Sequence, residues 1–296
     1  MDVYEAKLAA AAHGDREKGL ELLEFVRKEK LRVPDVVVKV GRALVARGGL
    51  GDALWTIHEQ VLLAALDLGA MDVVDSTFLA LKNKFPDSSR VLRLEGMIFE
   101  AQGKYAQADA LYKDILAKNP ANMLVMKRQV SLLRAQGRTE DAISKLNALL
   151  RCFQTDAGAW CELSELYLSL GNYKHAAFCY EELILLNPLD ALNHTRLAEL
   201  YVTIGGLDNL RTARKHFAHA LDLNAQSTRG LVGLVMCTTA IASTKTTRPE
   251  KDDRELNARL HQFALQKLQS VYAELPTAAA VNAALTSTTA AFDEQH

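Results

Sequence analysis

An all-α superhelical solenoid of antiparallel helix pairs is the fold this sequence predicts, on two periodicities and one residue pattern. Glycine recurs at 69, 103, 137, 171 and 205, five positions 34 residues apart. Pro120 follows Pro86 by the same interval, and Pro188 follows Pro120 by twice that interval. A fixed period of this length marks stacked copies of one small unit, each unable to bury its apolar face alone.

The third observation is the pattern inside the period, with position 1 at Trp55, Ser89, Met123, Ala157 and Ala191. Position 8, where the first helix of a pair needs a compact side chain, is Leu62, Gly96, Val130, Ser164 and Ala198. Position 11 is Ala65, Phe99, Leu133, Tyr167 and Tyr201, filling the space toward the next helix. The glycine at position 15 ends the first helix, where a left-handed residue is easiest for glycine. Position 20 is Val74, Ala108, Ala142 and Ala176, allowing the two helices of a pair to approach. Position 24 is Phe78, Tyr112, Leu146 and Tyr180, a large side chain expected to pack into the neighbouring unit. Position 32 is Pro86, Pro120, Gln154 and Pro188, and proline cannot continue the second helix. Together these are the marks of the tetratricopeptide repeat.

The unit at 157–190 is the most complete, whereas 123–156 lacks both the proline and the aromatic fillers. In the unit from 191 the second helix is expected to run late. Ala213, Phe217 and Ala220 stand three residues beyond their regular places, which puts an insertion in the turn Gly205-Gly206-Leu207-Asp208-Asn209. Residues 1–50 read as an N-terminal helical cap, with helices at 15–30 and 35–47 broken at Pro34. Gly48-Gly49-Leu50-Gly51 is a hinge-like turn into repeats over 51–225. A C-terminal helix pair follows in 226–275, helices 228–243 and 251–274 around the polar loop Ser243–Pro249. Residues 276–296 read as a weakly ordered tail or a capping helix.

Composition narrows the function. Of 296 residues 49% are hydrophobic, and the formal net charge is −1. A phosphate-binding surface needs a clustered basic excess, so nucleic acid is not an expected partner. Cys152, Cys161, Cys179 and Cys237 show no CxxC spacing and read as reduced thiols. The N-terminus, MDVYEAKLAAAAHGD, carries Asp2 and Glu5 and does not read as a secretory signal. The uncharged stretches 230–244 and 275–292 are too short or too polar to match about 20 apolar residues of a membrane span. Membrane association is therefore expected through partners only.

The chemistry expected is recognition, not catalysis. First-helix positions 2, 5, 9 and 12 share a stripe, being three or four residues apart, and line the concave face of such a solenoid. Arg90, Arg93, Lys127 and Arg134, with Met97 and Ser131, make one half of a candidate partner-binding groove basic. Glu165 and Glu199 make the other half acidic, so a segment with acidic and then basic residues would suit it. The plainer reading of these side chains is a set of solvated surface charges. His175 with Cys179, and His216 with His219, stand at metal-ligand spacings but lack the further ligands zinc requires, so neither metal nor cofactor is expected. Trp55 and Trp160 read as packing aromatics. Asn193-His194-Thr195 fits a glycosylation acceptor but falls within an expected helix. No serine–histidine–acid or cysteine–histidine arrangement emerges, and the chain reads as a non-enzyme.

Several stretches go beyond the generic repeat. They are Gly51-Asp52-Ala53-Leu54-Trp55 leading into IHEQVLLAALDLG, then YAQADALYKDILAKNP, AWCELSELYLSLGNYKHAAFCYEELILLNP and GGLDNLRTARKHFAHALDLN. Over residues 51–243 they resemble the subunit 2 family of the endoplasmic reticulum membrane protein complex. The resemblance implies a peripheral scaffold at the cytoplasmic face of the endoplasmic reticulum membrane, in a complex that inserts transmembrane segments, tail-anchored proteins among them. It implies that the chain cups cytosolic segments of membrane subunits 3 and 5 and carries cytosolic subunit 8 or 9. Insertion itself would belong to the membrane subunits. A scaffold of this kind should expose apolar surface when isolated and behave better with a partner. The alternative is a tetratricopeptide co-chaperone or adaptor gripping a peptide in its groove. Proteins that grip chaperone C-termini place lysine and asparagine at positions 5 and 9 of one repeat. Here those pairs are Glu59/Leu63, Arg93/Met97, Lys127/Ser131, Cys161/Glu165 and Thr195/Glu199.

Overall fold

The computed structural model describes residues 2–12, 15–244 and 251–273, with residues 280 and 283–285 near the C-terminus. Among them the regular elements are α-helices, as the period requires. They divide into two compact units, Met1–Arg138 and Thr139–His296.

The first unit holds α1 (Asp2–Ala12), α2 (Arg16–Lys28), α3 (Pro34–Arg47), α4 (Ala53–Leu68), α5 (Met71–Lys84), α6 (Ser89–Ala101), α7 (Tyr105–Lys118) and α8 (Met123–Ala135). The helix break before Pro34 is present, with proline at the first position of α3, where its missing N–H is no loss. Sequence reading passed over α1. Its alanines have high helix propensity, and Tyr4 and Leu8, four residues apart, pack against the core of the unit. That core is continuous from Leu22 and Leu23 through Leu62 and Val74 to Leu94 and Ile98, so the N-terminal helices and the first repeats share one apolar interior. Each such side chain, fully buried, contributes about 1.5–3 kcal/mol.

The pair at positions 8 and 24 governs packing further along. Tyr112 of α7 is fully buried, and its ring lies against the backbone of α6 at Gly96. A Cβ on Gly96 would stand 2.3 Å from Tyr112 Cε1, so this close approach requires glycine.

The second unit holds α9 (Thr139–Cys152), α10 (Ala157–Ser169), α11 (Tyr173–Leu186), α12 (Ala191–Ile204), α13 (Leu207–Leu223), α14 (Thr228–Ser243) and α15 (Lys251–Tyr272). Its last core joins α12 to α15 through Ala198, Phe217, Leu234, Cys237, Ala264 and Leu268. Residues 245–250, most of the polar loop expected after Ser243, lie outside the described residues, as does most of the tail from 276.

The caps keep the 34-residue period too. Asn122, Asp156 and Asp190 precede α8, α10 and α12, and their side chains accept from the backbone N–H of Val125 (3.3 Å), Ala159 (3.0 Å) and Leu192 (2.9 Å). Each satisfies a donor that the first helical turn leaves orphaned, an effect of about 1 kcal/mol.

The insertion after Gly205 is not a longer turn. α13 begins on time, at Leu207, and is 17 residues long where α11 has 14. Three residues are close to one helical turn, so they extend the helix at its start and return the apolar face almost to register. Asp208 suits the positive end of the new first turn, and Asn209 Nδ2 donates to the Gly205 carbonyl at 2.7 Å. The turn is compressed into Gly205 (φ 76, ψ −179) and Gly206 (φ 86, ψ 145). Gly69, by contrast, ends α4 in ordinary left-handed geometry (φ 69, ψ 19). The Gly205 conformation belongs to a region only glycine populates, which is why two glycines stand together here.

Candidate functional site

In the first unit the first helices α4, α6 and α8 carry the candidate side chains on one face. Arg90 is exposed and Arg93 half-buried on α6, and both reach back to Glu59 at position 5 of α4. Arg93 Nη2 lies 3.3 Å from Glu59 Oε1, and Arg90 pairs with the other carboxylate oxygen. Glu59 is only 9% exposed. Burial lowers the Arg93 guanidinium and Glu59 raises it; for Arg90 the hydrogen bond to Glu59 prevails over burial and raises it. The cluster therefore holds one net positive charge where sequence reading counted two. The signal was available, since Glu59 and Arg93 share position 5 in successive repeats.

Behind this face Arg128 of α8 forks onto Glu100 of α6, with Nε 3.1 Å from Oε1, and Tyr112 donates its hydroxyl to the same oxygen at 2.5 Å. Burial and Glu100 push the phenol well above its ordinary range. Met97, Lys127 and Ser131 are half-buried and Arg134 is exposed. The Ser131 hydroxyl donates to the Lys127 carbonyl at 3.2 Å, so its hydrogen is used within α8. Sequence reading missed Leu124, which stands at position 2 of the same helix and is 54% exposed. On this face Arg90 and Arg93 outnumber Glu59, and Leu124 adds an exposed apolar side chain.

In the second unit Glu165 is exposed on α10 and Glu199 half-buried on α12. Arg229 of α14 forks onto Glu199, with Nη2 2.6 Å from Oε2, and Arg196 lies 3.6 Å away. Beside that pair Val202, Val232, Met236 and Tyr272 line an open pocket of about 430 Å³.

The groups weighed for other chemistry are packed, and their partners are visible. His175 Nδ1 is 2.7 Å from the Asn172 side-chain oxygen, and its ring lies against Tyr167. Cys179 is fully buried, its thiol pushed up to about 12 by burial, and Cys237 is likewise raised to about 12. His216 and His219 are joined by His194, which sequence reading missed because it lies on the neighbouring helix. His194 Nε2 lies 3.0 Å from the Pro188 carbonyl, to which it can only donate. Its Nδ1 in the neutral ring is then an acceptor for Nδ1–H of His216, at 3.1 Å. Burial and His194 lower the pKa of His216. Among the described residues no group of three or more His, Cys, Asp or Glu is arranged to hold a metal ion. Trp55 packs edge-on to Phe85, and Trp160 packs edge-on to Phe178 while donating Nε1–H to the Gln154 carbonyl at 2.8 Å. No described helix is long and apolar enough to cross a membrane.

Comparison with known proteins agrees with the repeat pattern. Residues 70–207 match the model of the EMC2 TPR-like repeat domain. ER membrane protein complex subunit 2-B of Xenopus laevis is 41% identical over 249 residues, which is 83% of this chain and 83% of that protein. The chain belongs to the ER membrane protein complex subunit 2 family. The family member of Dictyostelium discoideum is 36% identical over 69% of this chain and 65% of its own length. Among solved structures, the C-terminal part of a TPR repeat-containing protein from Cytophaga hutchinsonii covers 88% of this chain and 98% of its own, with a TM-score of 0.56 at 14% identity. At that identity the likeness speaks for the fold alone, and the fold it speaks for is the tetratricopeptide stack. The subunit 2 family thus supplies the context in which the first-helix faces are read.

Proposed function

We propose that this chain is a non-catalytic scaffold subunit of the endoplasmic reticulum membrane protein complex, peripheral at the cytoplasmic face of that membrane. It supports insertion of transmembrane segments, including those of tail-anchored proteins, by holding cytosolic parts of membrane subunits 3 and 5 and by carrying cytosolic subunit 8 or 9. The observation that carries this reading is the 41% identity to ER membrane protein complex subunit 2-B, spread over 83% of both chains. The residues that would hold a cytosolic segment in the first unit are Arg90, Arg93, Met97, Lys127, Ser131 and Arg134; the candidates in the second unit, taken by itself, are Glu165 and Glu199. A basic, partly apolar face of this kind recognises an extended or helical segment carrying acidic residues.

The test is purification of the tagged chain from detergent-solubilised membranes. Stoichiometric recovery of multi-spanning membrane proteins is expected. The double variant Arg90→Gln/Lys127→Gln should reduce that recovery with helix content unchanged. Neutral replacements are required, because a glutamate at 93 would stand beside the buried carboxylate of Glu59. Recovery of soluble chaperones alone would overturn the reading.

A further inference from the structure

The repeat at 157–190 carries an exposed apolar stripe that its own fold does not require. Phe178 on α11, Leu185 as its last residue but one, and Leu189 in the turn that follows are 49%, 75% and 76% exposed. Phe178 and Leu185 lie seven residues apart and so share a helix face, with Glu182 between them. The ring of Trp160 extends the stripe at the Phe178 end, its centroid 6.0 Å away.

The other repeats of the same chain show what the fold needs at these places. At position 22, occupied by Phe178, they have Ser76, Ala110 and Ser144. At position 29, occupied by Leu185, they have Asn83, Ala117 and Arg151. At position 33, occupied by Leu189, they have Asp87, Ala121 and Thr155. Three copies of the unit build their helix pairs with small or polar residues there. The large apolar residues of the fourth copy are therefore surplus to folding, and contiguous surplus apolar surface marks a contact.

We infer that this stripe is a second docking surface, separate from the first-helix faces, whose occupant is an amphipathic helix of another protein bearing large apolar side chains flanked by lysine or arginine. Charge chooses the occupant. Glu182 sits within the stripe and has no ion-pair partner among the described residues, and Asp190 stands at its far end. Lys174, a turn before Phe178, is the cation that α11 itself places on that face. An anionic lipid surface would be repelled by these carboxylates, and a second copy of the stripe would set glutamate against glutamate. A basic amphipathic helix meets both features, its apolar anchors on Phe178, Leu185 and Leu189 and its cations on Glu182.

The experiment titrates the full chain with a synthetic helical peptide of leucine and lysine bearing a single leucine stripe, and with the same peptide carrying glutamate for lysine. The variant Phe178→Ser/Leu185→Asn/Leu189→Thr uses residues this chain already places at those positions, so its thermal melt should match the parent. The lysine peptide should bind the parent, and the triple variant should weaken that binding by about tenfold or more, the loss expected when central anchors are removed. The glutamate peptide should bind at least about tenfold more weakly than the lysine peptide, and Glu182→Lys should reverse that preference. Undetectable binding of the lysine peptide, equal binding by the triple variant, or indifference to peptide charge would overturn the inference. So would phosphatidylserine vesicles, or dimers in sedimentation, that the triple variant abolishes.

Discussion

Replacing Gly96 by alanine asks whether the close approach of α6 and α7 is a working part of the fold. Helix propensity alone favours the change, by about 1 kcal/mol for a glycine inside a helix. The structure opposes it. The new Cβ would meet Tyr112 Cε1 at 2.3 Å, Cζ at 2.5 Å and the hydroxyl at 2.7 Å. Ordinary contact needs over an ångström more, and overpacking of this sort costs about 1–3 kcal/mol. The ring has nowhere to go, because Tyr112 is fully buried and its hydroxyl is tied to Glu100. If the ring swings away, it gives up a hydrogen bond to a charged acceptor, about 1.5–3 kcal/mol. The net expectation is a loss of about 3 kcal/mol, a fall in the urea midpoint of about 1–3 M at the slopes usual for small domains. Tryptophan fluorescence in a Trp160→Phe background isolates the first unit, since Trp55 is then the sole reporter. Adding Tyr112→Leu, the residue this chain uses at 146, should recover part of the loss, which a double-mutant cycle reads as coupling. A Gly96→Ala variant as stable as the parent, or additive with Tyr112→Leu, would refute the packing argument.

Three further outcomes are expected. Asp253→Ala strips the counter-ion from Arg214, whose side chain is 4% exposed, and should cost about 3 kcal/mol and loosen α15, measured by amide exchange; Arg214→Met with Asp253→Leu should be milder. Burial tends to raise the Asp253 carboxyl, yet Arg214 and Arg211 outweigh it and hold it below its ordinary value, so its contribution is full above about pH 4 and fades in stronger acid. The lowered pKa of His216 makes neutral imidazole the folded form, so the stability it provides is present above about pH 6.5 and is lost as pH falls below that, which melts of the second unit at pH 7.5 and 5.5 against His216→Asn would show.

The repeat was legible because its marks are steric. The glycine, alanine and aromatic positions each answer to a fixed distance between helices, and Ala108, Ala142, Ala176 and Ala213 are all fully buried as their places demand. The insertion was read in the right place but with the wrong shape, since a three-residue gain is invisible as a helical turn until the helix start is known. α1 escaped because two anchoring side chains in 11 residues make a weak pattern. The candidate face was legible as a set of positions but not as a charge. A stripe counted within each helix omits the neighbour's counter-ion, and Glu59 and Arg229 supply those counter-ions across repeats. The histidine cluster was hidden for the same reason, being assembled from α12 and α13.

If, as proposed, the first-helix face of the first unit holds a cytosolic segment of a membrane subunit, that subunit should lie within reach of side chains on this face. A photo-cross-linking amino acid at Met97, on that face, and another at Lys113, on α7, tests it most directly in solubilised membranes. Adducts with a multi-spanning membrane protein from position 97 and none from 113 are predicted. Adducts equal from both positions, or only with soluble proteins, would contradict it.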